Sequence, residues 1–315
     1  VLENCKDLSE IVTIDSKAAG TGGSRLGLKK DDKITVEGLL YGLLMRSGND
    51  AAVALAEYIA GSKEEFAKLM NNKAHELGLK NTNFVTPHGL DDPKHYTTAY
   101  ELAQIADYAL KNNKFAQIVK TQYATINING YSKELKNTNE LLLGNIEGVY
   151  GVKTGFTNNA GRCLVTAVKR KNMDLIIVVL GADTRKDRAK DSLKLIDYIY
   201  QNYRVENIEE QIQKQFDLWN EINKNRIYIY KGTKSIELEL GKIKYEKIIT
   251  NKQITIEINS LNYLEAPVEK GTVIGNLIVK NGGEIVETID IKTAHEIRRK
   301  GIFDYLEMFA KIITQ

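Results

Sequence analysis

The chain has 315 residues, 43% of them hydrophobic, which is enough apolar content to bury a large core and to set disorder aside, and the length suits two domains better than one. Its 44 Lys and Arg against 41 Asp and Glu leave a net charge of +3, too close to balance to suggest a nucleic-acid partner. Two cysteines, Cys5 and Cys163, make neither a disulfide framework nor, with four scattered histidines, a metal-ligand set, so both read as packing residues and no metal or other cofactor is expected.

The opening Val1-Leu2-Glu3-Asn4 lacks a methionine, a basic segment or an apolar stretch, and reads as the last turn of a helix whose earlier turns are absent. From Ile34 to Leu44 apolar residues recur at helical spacing, and the run stops at Arg46-Ser47-Gly48-Asn49. A second helix, apolar on nearly every face from Ala51 to Ala60, starts at Asp50, so Ser47 and Asn49 fall on a tight turn between two core helices. Further helices fit Lys63 to Leu77, stopped by Gly78, and Thr98 to Asn112, capped by Thr97-Thr98. From about Val149 the period changes. Gly148 to Gly155, Arg162 to Arg170 and Met173 to Gly181 read as an antiparallel meander, closed by a helix from Arg185 to Tyr203 with Ala189, Leu193, Ile196, Ile199, Tyr200 and Tyr203 on its inner side.

Residues 206–224 are rich in Glu, Gln and Asn and read as a linker with at most local structure, in which Trp219 is a packing anchor. Beyond it lie short β-rich runs at 227–230, 236–240, 254–258, 273–279 and 285–291, with turns at Gly232, Gly241 and Asn281-Gly282-Gly283. Ile302, Leu306, Phe309 and Ile313 form an apolar stripe opposite Asp304, Glu307 and Lys311, preceded by Arg298-Arg299-Lys300. No apolar run reaches the length of a membrane span.

Ser47-Gly48-Asn49 is an ordinary turn by itself, and Lys153-Thr154-Gly155 is an ordinary strand end. Together, a helical-subdomain Asn turn followed roughly 100 residues later by Lys-Thr-Gly on a strand opening a meander matches two motifs of penicillin-recognising serine enzymes. The segments Tyr41 to Ala52, Gly89-Leu90-Asp91 with His95-Tyr96-Thr97-Thr98-Ala99, and Gly151 to Thr157 resemble the low-molecular-weight D-alanyl-D-alanine carboxypeptidases, a family of penicillin-binding proteins (peptidase family S11), from Val1 to about Tyr203. The resemblance implies an α+β, class A β-lactamase/transpeptidase-like domain with an antiparallel sheet flanked by helices and a helical subdomain. After it come a small all-β domain and a C-terminal amphipathic helix, with boundaries at 1–205, 206–224, 225–292 and 293–315.

It also implies roles. A lysine of a Ser-x-x-Lys turn deprotonates the attacking serine, Ser47 relays a proton, Asn49 holds the substrate backbone or orients that lysine, and Lys153 supplies positive potential. Thr154 would bind the terminal carboxylate of the substrate and Gly155 would let it lie along the strand. The Phe156 N–H would form half an oxyanion hole, with the nucleophile's own N–H as the other half. Arg188 is a second carboxylate contact by family position, and equally fits a solvated charge among Arg185, Lys186 and Lys190. His75, His88 and His95 read as structural. The expected activity is serine-type removal of the terminal D-alanine from peptidoglycan pentapeptides, with β-lactams as covalent inhibitors, carried out on the outer face of the bacterial cytoplasmic membrane in service of cell-wall construction and cell shape. The tail, about 21 Å of helix, would lie in the membrane interface; packing on the β domain is its other fate.

None of the nine serines has a lysine three positions on. The expectation is that the nucleophile motif lies just upstream of Val1 and that the chain as written does not acylate. Two alternatives stand beside this reading. One is a non-catalytic cell-wall scaffold. The other is a class A β-lactamase, which the missing Glu-x-x-Leu-Asn and the extra β domain disfavour.

Overall fold

The structure, a computed structural model, describes residues 1–242 and 246–313, so the parts of the expected β domain and tail that fall at 243–245 and 314–315 lie outside the described residues. The chain divides into two compact units, Val1–Tyr200 and Gln201–Gln315.

In the first unit β1 (Ile11–Thr13), α1 (Ser16–Ala19) and β2 (Lys33–Thr35) precede the helical core. α2 (Val36–Arg46) begins later than its periodicity suggested. The Thr35 hydroxyl caps it by accepting from Gly38 N at 3.0 Å, and Ile34, 1% exposed, belongs to β2 instead. α3 (Asn49–Ala60) is buried from Asn49 to Ala56, and its alanines let neighbours approach to core density. Gly42 has the same use in α2, since a Cβ there would sit 2.5 Å from Leu26 Cδ2. α4 (Lys63–Glu76), α5 (Ala99–Leu110) and α6 (Asn113–Lys120) follow, each capped at its start by a Ser, Thr or Asn side chain. The hairpin β3 (Tyr123–Ile128) and β4 (Tyr131–Lys136), which the sequence reading passed over, turns at Asn129-Gly130, both left-handed, and extends β1 and β2 into a sheet of order β1-β2-β3-β4.

After the short α7 (Glu140–Leu143) come β5 (Val149–Thr157), β6 (Gly161–Arg170) and β7 (Met173–Ala182), an antiparallel sheet in that order. The expected meander is therefore present, with Lys171 and Asn172 left-handed in its tight turn. β5 is an edge strand. α8 (Arg185–Asn202) buries Arg188, Ser192 and Ile196 at i, i+4, i+8, so the centre of its inner stripe is partly polar rather than the wholly apolar face expected.

In the second unit the expected linker is instead helical. After β8 (Tyr203–Asn207), α9 spans Glu209–Asn223, because Ile208, Ile212 and Phe216 recur every fourth residue and are 0%, 0% and 4% exposed in the β-rich core. Polar composition hid that stripe. A 3-10 turn at Lys224–Arg226 leads to β9 (Tyr228–Tyr230), β10 (Leu238–Leu240), β11 (Glu246–Thr250), β12 (Ile254–Ser260), β13 (Tyr263–Glu265), β14 (Val273–Asn281) and β15 (Glu284–Thr293). They form a sheet of order β10-β15-β14-β12, a β11-β8 pair and a parallel β9-β13 pair. α10 (Ile302–Ile313) has no buried residue, so its apolar side is left exposed in this structure.

Trp219, the only tryptophan, lies 6.3 Å from the Phe216 ring and reports on α9 directly. Phe216→Ala should cost about 3 kcal/mol in denaturant unfolding followed by Trp219 fluorescence. A loosely tethered linker would show no change.

Candidate active site

The α2–α3 turn has an unusual shape that its sequence enforces. Ser47 ends α2 in the left-handed region, φ 55° and ψ 40°, and Gly48 opens α3 immediately. A non-glycine residue pays backbone strain there and persists only where its surroundings hold it. The surroundings do. Asp50, fully buried, accepts from Leu26 N (2.8 Å), Gly27 N (2.8 Å), Leu28 N (3.0 Å) and Ala51 N (3.0 Å). Asn49 donates from Nδ2 to Gly22 O at 2.8 Å, and its backbone N–H donates to Ser24 O at 2.8 Å. Asp50 was expected only to start a helix; its carboxylate in fact ties that helix to the 22–28 loop. The side chains of Asn49 and Asp50 thus lock the turn from behind, leaving the Ser47 hydroxyl turned toward β5.

Lys153 meets it there. Lys153 Nζ donates to Ser47 Oγ and to Thr154 O, the latter at 2.9 Å. Burial, and secondarily the Arg188 charge, push the Lys153 ammonium down from 10.5 to about 8. Thr154 is buried, and its hydroxyl shares a 2.8 Å hydrogen bond with that of Thr138, whose N–H is anchored on Met45 O at 3.1 Å. Gly155 is exposed on the edge strand, and a Cβ there would meet only Cys163 Cβ at 3.6 Å, so the glycine clears space outside the strand rather than inside the protein. Phe156 is half-exposed, with the Arg162 guanidinium 3.6 Å from its ring centroid.

Arg188 is not a solvated charge. It is 4% exposed, and it donates from Nε and Nη2 to the two Glu140 oxygens at 2.7 and 2.8 Å. Nη1 donates to Cys163 O and Gly155 O at 3.3 and 3.4 Å. Most of its donor fork is therefore spent on the protein, bracing α7, β5 and β6 behind the Lys-Thr-Gly segment. Thr138 and Glu140 escaped the sequence reading; the signal available was Thr138-Asn139 ahead of Glu140, a capping sequence that Asn139 fulfils at α7.

The remaining marked residues lie apart. His88 and His95 accept through Nδ1 from Leu90 N and Val85 N, both at 3.2 Å, and burial lowers both pKa values, so they act as neutral acceptors that shape the 84–96 segment. The Gly89-Leu90-Asp91 stretch reaches the outer end of β5, where Asp91 Oδ2 accepts from Asn159 N at 3.4 Å. Ser47 therefore meets Lys153, with Thr154, Gly155 and Phe156 following along the edge strand, while the Asn49 side chain stays behind the turn on Gly22 O. A cation, two hydroxyls and an unpaired strand edge can bind an extended chain that ends in a carboxylate, and can move a proton beside it.

A family model described as D-alanyl-D-alanine carboxypeptidase matches residues 3–184, and one described as the penicillin-binding protein 5 C-terminal domain matches 249–299. The D-alanyl-D-alanine carboxypeptidase DacF of Bacillus subtilis is 33% identical over 314 residues, covering 95% of this chain and 76% of that protein. DacA of Haemophilus influenzae is 33% identical over 306 residues, covering 95% and 75%. Among solved structures, DacD from Francisella tularensis superposes with a TM-score of 0.74 at 26% identity over 93% of this chain and 83% of that one. Penicillin binding protein 5 from Haemophilus influenzae gives 0.65 at 30% identity over 93% and 84%.

Two measurements check the site itself. The Lys153 ε-methylene, followed by NMR, should titrate near pH 8 rather than near the ordinary 10.5. Since the depressed pKa penalises the charged form in the fold, this group adds stability as pH rises from about 8 towards 10.5 and withholds it below. Glu140→Ala, which strands the buried Arg188 charge, should cost roughly 3 kcal/mol.

Proposed function

The chain belongs to the D-alanyl-D-alanine carboxypeptidase family, and from that membership we propose that it removes the terminal D-alanine of peptidoglycan pentapeptides through an acyl-enzyme. The observation that carries the reading is the Lys153 ammonium donating to the Ser47 hydroxyl beside an unpaired strand edge. With its oxygen accepting from Lys153, Ser47 keeps its own proton free to donate outward. That proton suits the leaving amine of the scissile peptide, which must be protonated as the C–N bond breaks. The nucleophile's proton, taken by the lysine of the Ser-x-x-Lys turn, replenishes Ser47, and water later hydrolyses the ester. That step needs a serine with a lysine three positions on, which none of the nine serines in these residues has.

Each remaining residue has a part in holding the substrate. The strand edge around Gly155 accepts the peptide as an added strand, and the Phe156 N–H contributes to the oxyanion hole. When the Thr154 hydroxyl accepts from Thr138, its own proton is free to donate onward to the terminal carboxylate, and Lys153 supplies the attractive charge. Asn49, already donating to Gly22 O, fixes the turn. Arg188 reaches the substrate through the Gly155 carbonyl and its positive field rather than through a free fork. β-Lactams, which resemble the D-Ala-D-Ala terminus, acylate the same serine. No step in this scheme draws on a cofactor.

The finer placement is the outer face of the cytoplasmic membrane, held by α10. Ile302, Phe303, Leu306, Phe309, Ile312 and Ile313 are 58–82% exposed on it, while the helix is too short to span a bilayer. Arg298, Arg299 and Lys300 precede it and suit anionic headgroups.

Expressed from its complete reading frame, the protein should be labelled by a fluorescent penicillin, Ser47→Ala should slow labelling by about 10²-fold or more, and Lys153→Ala should abolish it. Normal labelling of Lys153→Ala removes that residue from the site, and a frame without Ser-x-x-Lys, or an unlabelled wild type, overturns the activity. Deleting 298–315 should release the protein from anionic vesicles; unchanged binding overturns the anchoring.

A further inference from the structure

The β9-β13 pair carries a cluster that the catalytic reading leaves unused. Its two strands run parallel with Tyr263 beside Tyr228 and Glu265 beside Tyr230, so the period of two sends Ile229 and Leu264 into the core of the second unit and all three tyrosines outward. The tyrosines are 61%, 37% and 51% exposed at positions 228, 230 and 263. Their ring centroids are 6.5, 6.0 and 6.4 Å apart pairwise, with interplanar angles of 26–40°. Three nearly equal separations make a triangle, not a column, whose outer rings would stand at twice the neighbour spacing. The result is a broad aromatic patch on the surface of the protein, with Leu261, 53% exposed, just before Tyr263.

Basic residues edge this patch. Lys231 Nζ lies 4.5 Å from the Tyr230 ring centroid. The Lys300 N–H donates to Lys231 O at 2.7 Å, and Thr233 N–H donates to Arg298 O at 3.1 Å, which fixes the patch directly beside the residues that lead into α10. Arg299 pairs with Glu265 at 3.7 Å and Arg298 with Asp304 at 2.7 Å, so among the described residues two of the four cations at this edge, Lys231, Arg298, Arg299 and Lys300, are in ion pairs and two are surplus. An amphipathic ring with a polar tip is suited to the boundary between headgroups and acyl chains, and the surplus cations are suited to anionic headgroups.

We propose that Tyr228, Tyr230 and Tyr263 form a second contact with an anionic lipid surface, continuous with α10, which rests on the membrane reading above. Two contacts fix what one helix cannot. An amphipathic helix alone leaves the attached domain free to swing, whereas a helix and an adjoining aromatic patch on the same domain hold it at a set tilt.

The test uses the full chain and vesicles of phosphatidylcholine with phosphatidylglycerol, some carrying bromine at defined acyl depths. In a Trp219→Phe background, Tyr230→Trp should shift to the blue on vesicle addition and be quenched most by shallow bromines. The triple change Tyr228→Ser, Tyr230→Ser, Tyr263→Ser should weaken partitioning about tenfold while leaving penicillin labelling unchanged. Emission at 230 that ignores bromolipid, or triple-variant partitioning equal to wild type, overturns the proposal. Loss of binding to purified glycan strands with vesicle binding intact would also overturn it, by assigning the patch to a sugar. Removal of 302–315 separates the two claims. If vesicle binding is undiminished by that deletion the helix reading fails, whereas an unquenched residue 230 on vesicles that α10 still binds sinks the tyrosine contact alone.

Discussion

Everything at the site depends on one apposition, the Lys153 ammonium on a sheet edge against the hydroxyl of Ser47 in a left-handed turn. The two residues are 106 positions apart in sequence and come from a helical subdomain and a meander. Neither side is held by the contact itself. Asp50 fixes the turn through four backbone N–H groups, and the Arg188–Glu140 pair fixes the strand from behind. The buried charges of both supports, Asp50 and Arg188, are hydrogen-bonded, the condition under which a buried charge constrains geometry instead of merely costing desolvation.

The same supports tune the chemistry. Burial and the Arg188 charge lower the Lys153 pKa to about 8, so near neutrality the group is mostly cationic yet releases its proton more readily than an exposed lysine. A strong, fully solvated cation would hold a carboxylate but make a poor partner for proton movement. A fully neutral amine would do the reverse. Lys153 sits between them chiefly because burial penalises its charge, with the nearby Arg188, itself occupied with Glu140, adding a smaller repulsion.

Much of this was legible in the sequence, for identifiable reasons. Ser47-Gly48-Asn49 and Lys153-Thr154-Gly155 gave themselves away because their types and spacing are set by chemistry, and the α2, α3 and β5-β6-β7 elements because their apolar periods are strong. What stayed hidden is long-range or masked by composition. Asp50 reads as a helix start, since nothing local reveals that its carboxylate closes a loop at 26–28. Arg188 sits among Arg185, Lys186 and Lys190, so charge density concealed a buried arginine paired with the partly exposed Glu140. The stripe Ile208, Ile212, Phe216 was lost among Glu and Gln, and a helix packed along that one stripe was taken for a linker. The Asn129-Gly130 hairpin was readable from its turn residues and was overlooked.

The central claim is that Ser47 and Lys153 act as one unit in acyl transfer, and a double-mutant cycle on D-alanine release tests it most directly. With protein expressed from the complete reading frame and a peptide ending in D-Ala-D-Ala, kcat/KM would be measured for Ser47→Ala, Lys153→Ala and the pair. The account predicts that the double variant is no slower than the worse single variant. Losses that multiply would show two independent residues and contradict it.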